Sequence, residues 1–111
     1  MSEQNVTKRI EGEIKSNKVV LFMKGTPEAP QCGFSAATVQ LLNSYQYPFK
    51  GIDILANPDI RASLPEYSKW PTFPQLFING QLVGGSDIAH ELNDSGELKR
   101  MLEKAFKGEK Q

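Results

Sequence analysis

Asn79-Gly80, set between Gln75-Leu76-Phe77-Ile78 and Gln81-Leu82-Val83, limits this chain more than any other feature. A two-residue turn whose twist matches its strands needs two residues in the left-handed region, and Asn and Gly reach it at the least cost. The segment is therefore an antiparallel hairpin. Two earlier strand-like runs cannot be joined that way. Val19-Val20-Leu21-Phe22-Met23-Lys24 and Phe49-Lys50-Gly51-Ile52-Asp53-Ile54 are separated by a helical pattern, with Phe34, Ala37, Thr38, Leu41, Leu42 and Tyr45 recurring on one face. Strands joined through a crossover helix lie parallel, with a right-handed connection.

The remaining segments read as helices. Val6, Ile10 and Ile14 mark a first amphipathic helix, weakened by Gly12 and stopping near Asn17. Asn57-Pro58 supplies an N-cap and a proline at the first helical position, opening a short helix that Pro65 is expected to interrupt or restart. Two helices close the chain, the last marked by Leu98, Met101, Leu102, Ala105 and Phe106. The order is helix, strand, helix, strand, helix, hairpin, helix, helix. It predicts an α/β fold of the thioredoxin-like kind, a four-stranded mixed sheet flanked by helices on both faces. The length corresponds to a single domain over residues 1–111, with its core over about 6–107.

Composition removes several classes of function. Thirteen basic residues balance thirteen acidic ones, so no electrostatic footprint for nucleic acid or an anionic membrane is expected. The N-terminus is polar and carries Glu3, unlike a signal or transit peptide, and no apolar run approaches membrane-spanning length. A single cysteine excludes an internal disulfide and suits a reducing compartment. The expected location is cytoplasmic.

That cysteine, Cys32, follows the strand exit and the segment Gly25-Thr26-Pro27-Glu28-Ala29-Pro30, whose prolines make it stiff. It falls at the predicted start of a helix, where unpaired N–H groups and the positive end of the macrodipole favour thiolate over thiol, and Lys24 adds a cation. Most single intracellular cysteines are inert and buried. Strand, Gly/Pro-rich loop, cysteine and helix in succession favour a chemical role instead, beyond the carboxyl end of a parallel strand, where α/β folds collect ligands. Trp70-Pro71-Thr72-Phe73-Pro74, read alone, is a trans structural turn. In this fold it faces the cysteine loop and leaves the Phe73 backbone donor and acceptor for an extended peptide ligand. Gly84-Gly85-Ser86-Asp87, read alone, is a strand-to-helix turn with Ser86 as N-cap; its N–H groups can also hold a carboxylate.

Lys24-Gly25-Thr26-Pro27, Pro30-Gln31-Cys32-Gly33-Phe34-Ser35, Trp70-Pro71-Thr72-Phe73-Pro74-Gln75 and Gly84-Gly85-Ser86-Asp87-Ile88 together resemble the monothiol glutaredoxins of the CGFS type. The resemblance implies a glutathione site and a glutathione-ligated [2Fe–2S] cluster, with a role in cluster assembly or transfer and iron homeostasis. It implies that Lys24 and Arg61 hold the glycyl carboxylate of glutathione and that Phe73 pairs its backbone with the cysteinyl unit. The backbone of Ser86 and Asp87 would receive the γ-glutamyl end, with Cys32 as catalytic thiol and metal ligand. Many members of that family carry a cysteine where this chain has Ser86, so the resemblance brings no disulfide between this position and Cys32.

Ligand counting agrees with that implication. A [2Fe–2S] cluster usually takes four thiolates and this chain has one. Two chains and two glutathiones complete the set, so cluster binding implies a homodimer. Ser35 stands where a dithiol enzyme has its resolving cysteine, closing the C-x-x-C route. Implied partners are BolA-type proteins, where a partner histidine could replace one ligand, and iron–sulfur client apoproteins. His90, the single histidine, is read as a surface or cap-adjacent residue. The alternatives are a glutathione-dependent thiol–disulfide oxidoreductase working by a one-thiol route, and a non-catalytic adaptor.

Overall fold

The computed structural model describes residues 3–107; residues 1–2 and 108–111 of the expected domain lie outside the described residues. The elements are α1 (Glu3–Ser16), β1 (Val19–Met23), β2 (Gly25–Thr26), β3 (Ala29–Pro30), α2 (Gly33–Asn43), β4 (Lys50–Asp53), α3 (Pro58–Ser68), β5 (Gln75–Ile78), β6 (Gln81–Gly84), α4 (Ser86–Ser95) and α5 (Glu97–Ala105). The main sheet runs β4-β1-β5-β6. β1 pairs parallel with β4 and antiparallel with β5, and β5 pairs antiparallel with β6. Asn79 (φ 54°) and Gly80 (φ 83°) both take the left-handed conformation that the hairpin turn requires.

β1 is buried along its whole length because it is central and covered on both faces. Its side chains alternate between two cores. Val19, Leu21 and Met23 pack with Val39, Leu42, Leu98 and Leu102 on the side of α2, α4 and α5. Val20 and Phe22 pack with Ile10, Ile14, Ile60 and Leu64 on the side of α1 and α3, where Phe22 meets the Phe77 ring edge-on at 5.6 Å.

Several local expectations are corrected. α3 continues through Pro65 to Ser68. The proline removes one helical bond, and the burial of Ile60 and Leu64 in the second core holds the helix together across it. Asn57 does stand at the N-cap position, but its side chain makes no capping bond. Its amide donates to the Asp53 carbonyl at 2.9 Å, and its oxygen accepts from Arg9, which also pairs with Asp59. The segment at 25–30 is a small hairpin, β2 with β3, and not a plain loop. Phe73-Pro74 is cis, not trans. The N-cap of α4 is Gly85, and Ser86 is its first residue.

The largest correction lies in α2. The helical pattern counts Phe34 on the apolar face, yet Phe34 is 64% exposed while its neighbour Ser35 is completely buried. Ser35 tolerates burial because its hydroxyl accepts a hydrogen bond from the Lys24 backbone N–H at 3.1 Å.

Candidate functional site

The site begins where β1 ends. Gly25 takes φ +89°, turning the chain out of the sheet, and its N–H donates to the Asp53 carboxylate at 2.9 Å. A Cβ at Gly25 would stand 2.5 Å from the Ala29 carbonyl oxygen, so the close return of the small hairpin depends on glycine. The Gln31 N–H donates back to the Lys24 carbonyl at 2.8 Å and closes the turn. The next residue, Cys32, is thereby delivered to the first turn of α2.

Cys32 is the N-cap of α2, in extended backbone conformation, and its sulfur accepts the Ser35 N–H at 3.4 Å. A thiol thus does what Ser, Thr or Asp normally does at a helix start. The Ser35 hydroxyl lies 3.5 Å from the same sulfur. Because the Lys24 N–H occupies a lone pair of that hydroxyl, its single proton is left to donate to a thiolate. Burial raises the pKa of the Cys32 thiol. The Ser35 hydroxyl, the backbone N–H groups of Ser35 and Phe34, and the Lys24 ammonium outweigh it, and the net pKa lies below the ordinary thiol value.

Beside the thiol is a cavity of about 630 Å³, within the usual range for small-molecule sites. Lys24 and Phe34 form one wall, Arg61 and Pro65 of α3 a second, the turn from Trp70 to Pro74 a third, and the start of α4 from Gly85 to Ile88 a fourth. The first helical bond of α4 runs from the Ala89 N–H to the Gly85 carbonyl, so the N–H groups of Ser86, Asp87 and Ile88 have no partner within the helix. Such a terminus, in a cavity that two cations also line, favours an anion. The two sides meet closely: a Cβ at Gly85 would stand 3.4 Å from the Pro74 carbonyl oxygen.

Beneath the turn, the Gln75 amide donates to the Trp70 carbonyl at 2.8 Å. Trp70 Nε1 and Gln75 Oε1 are buried and have no hydrogen-bond partner among the described residues.

Lys24, Arg61, Phe73, Ser86 and Asp87 all line this one cavity. Cys32 does not form part of its wall; it is linked through the Ser35 hydroxyl to Lys24, which does. His90 lies off the wall, its ring Nδ1 donating to the Ser86 carbonyl at 2.8 Å, which agrees with a cap-adjacent residue. Phe34, Pro65 and Ile88 are wall residues that the sequence reading did not place at the site. Their signal is weak, since Phe34 and Ile88 also fit a helix pattern and Pro65 reads as a helix breaker. Among the described residues no group of three or more His, Cys, Asp or Glu side chains converges to hold a metal ion, and none of the helices is long and apolar enough to cross a membrane.

The sequence model described as Glutaredoxin matches residues 19–83. A protein named as a monothiol glutaredoxin 2 in Rickettsia felis is 56% identical over 102 residues, covering 92% of this chain and 98% of its own. Glutaredoxin 4 of Buchnera aphidicola is 49% identical over 98 residues, covering 88% and 91%. Among solved structures, reduced apo GrxS14 from poplar superposes with a TM-score of 0.85 at 48% identity, over 96% of this chain and 98% of that one. A buckwheat glutaredoxin–glutathione complex has the same fold, with a TM-score of 0.83 at 24% identity over 93% and 92%.

Proposed function

Because this chain belongs to the glutaredoxin family, as a monothiol member of the CGFS type, we propose that it binds glutathione beside Cys32 and carries a [2Fe–2S] cluster as cargo between two copies. The observation that carries the reading is a sole thiol, held toward its thiolate, next to a cavity lined by Lys24, Arg61 and the N-terminus of α4. A tripeptide with a carboxylate at each end suits such walls. Lys24 and Arg61 take the glycyl carboxylate, the Phe73 backbone pairs with the cysteinyl unit, and the N–H groups of Ser86 and Asp87 receive the γ-glutamyl end. Glutathione, when bound, supplies a second thiolate beside Cys32.

Two chains and two glutathiones then make up the four thiolates that such a cluster usually takes. The homodimer forms with the cargo, and BolA-type proteins and iron–sulfur apoproteins are its partners in the cytoplasm. The donor set is compatible with this division: among the described residues Cys32 is not joined by two further His, Cys, Asp or Glu side chains, and Ser35 offers no second thiol beside it.

The lowered thiol pKa also favours a second reading, a one-thiol oxidoreductase. Cys32 thiolate would attack the glutathione sulfur of a protein mixed disulfide and expel the protein thiolate. A second glutathione would then attack the Cys32–glutathione disulfide, releasing glutathione disulfide and restoring the thiolate. Anaerobic cluster reconstitution of wild type and Cys32→Ser, with and without glutathione, separates the two. The carrier reading expects visible iron–sulfur absorbance and a dimer only in wild type with glutathione. A colourless wild type that rapidly turns over a glutathione mixed disulfide would leave the oxidoreductase.

A further inference from the structure

The first turn of α4 has no side-chain cap among the described residues. Its N-cap is Gly85, which brings no side chain to the free N–H groups that follow. A hydroxyl stands one residue later. Ser86 is 8% exposed, belongs to the cavity wall, and has a single side-chain hydrogen-bond neighbour among the described residues, His90 Nδ1 at 3.5 Å. That nitrogen also lies 2.8 Å from the Ser86 carbonyl oxygen, which can only accept, so Nδ1 carries a proton and has no lone pair to offer. The Ser86 hydroxyl can therefore accept from the ring but cannot donate to it. Its own proton is left without an acceptor among the described residues. Trp70 Nε1, buried and also without a partner among them, borders the same corner, 3.6 Å from where a Gly85 Cβ would stand.

We propose that the Ser86 hydroxyl donates to the α-carboxylate at the γ-glutamyl end of glutathione, and that His90 is the positioning residue that aims it. The inference deepens the glutathione reading and rests on it, since that reading brings a carboxylate to the N-terminus of α4. Buried donors are normally paired, and a carboxylate, whose two oxygens only accept, pairs a hydroxyl and neighbouring backbone N–H groups at once. The His90 ring meets the Ser86 hydroxyl as a donor, so the oxygen turns a lone pair to the ring and its proton away, toward the cavity that Ser86 lines. The Ser86 carbonyl belongs to the same planar peptide unit as the Asp87 N–H, so the bond from His90 also helps fix the direction of that second donor. The consequence is selectivity. A thiol peptide without the γ-glutamyl unit gains nothing from either side chain.

The test reads the preference of Cys32 for glutathione over N-acetylcysteinylglycine, which keeps the cysteinyl and glycyl units and lacks the γ-glutamyl end. The whole reduced chain is equilibrated with each symmetric disulfide and its thiol. The Cys32 thiolate, from the chain's only thiol, attacks one disulfide sulfur, the peptide thiolate leaves, and mass spectrometry counts the mixed disulfide. The preference is the ratio of the two equilibrium constants, so a change in the thiol or in the fold as a whole cancels. Ser86→Ala is expected to lower it about tenfold, the effect of losing one hydrogen bond to a charged group. His90→Leu is expected to lower it about fivefold, and His90→Asn, whose amide N–H takes the place of Nδ1–H, to return it to within about twofold of wild type. A Ser86→Ala preference within about twofold of wild type overturns the proposal, and so does a His90→Asn value no higher than that of His90→Leu. Failure of the glutathione reading looks different: wild type itself then shows no preference, and both fall.

Discussion

Replacing Lys24 and Arg61 by alanine, singly and together, measures how much of glutathione recognition is cationic. Lys24 is half-buried at the end of the central strand and Arg61 is exposed on α3, and both face the same cavity. No carboxylate forms an ion pair with either among the described residues, so each is available to an incoming anion. A hydrogen bond to a charged group contributes about 1.5–3 kcal/mol. For Lys24 the middle of that range, about 2 kcal/mol, corresponds to a roughly thirtyfold rise in Kd. For Arg61 solvent screening lowers the expectation to about 1 kcal/mol, roughly fivefold. If both hold one carboxylate, the double variant loses less than the sum, with a coupling of about 0.5–1 kcal/mol. Added salt narrows all these differences. The assay is glutathione titration by calorimetry at low and high salt, with circular dichroism to verify the fold. A Lys24→Ala protein whose Kd stays within about twofold of wild type would remove the ammonium from the site.

Stability should respond to pH through Cys32. Its folded pKa lies below the unfolded value, so between the two the unfolded chain binds more protons and stability rises with pH. The contribution is complete above the unfolded thiol value of about 8.5 and is lost as pH falls through the folded pKa. Urea unfolding of wild type and Cys32→Ser should show a gap widening in favour of wild type as pH rises from neutrality; a flat or narrowing gap contradicts the assignment. Gly25→Ala should destabilise the fold by about 2–4 kcal/mol, combining a left-handed alanine with a methyl driven onto the Ala29 carbonyl; a urea midpoint equal to wild type would mean that the hairpin yields. Ser35→Cys should cost about 1 kcal/mol, since sulfur is a poor acceptor for the Lys24 N–H. It should also raise turnover of a glutathione mixed disulfide less than about tenfold, and brisk dithiol activity would show that Ser35 alone separates the two chemistries.

Much of the fold is legible because its signals are local. Asn79-Gly80 enters the left-handed region wherever it lies, and the apolar periods of residues 6–14 and 98–106 need only one covering surface to become α1 and α5. The segments around Lys24, Cys32, Phe73 and Ser86 could be singled out for the same reason: a strand exit, a helix start, a proline turn and a glycine turn each carry their own chemistry. What stays illegible is whatever depends on a neighbour distant in sequence. Pro65 breaks an isolated helix, and only Ile60 and Leu64, packed against Ile10 and Phe22, keep α3 whole. The turn at 25–30 becomes a hairpin because Asp53, on another strand, takes the Gly25 N–H.

The sequence by itself determined that this chain makes a mixed sheet flanked by helices and ends one parallel strand at a single thiol. Local propensity and hydrophobic period are properties of short segments, and they survive in the folded protein. Only the tertiary structure decided which of two adjacent residues is buried behind that thiol. Hydrophobicity favours Phe34, yet the space beneath the helix start holds Ser35, because the Lys24 N–H there needs an acceptor and an apolar ring has none to offer. Phe34 is left in solvent beside Cys32, where the apolar period had counted it as core.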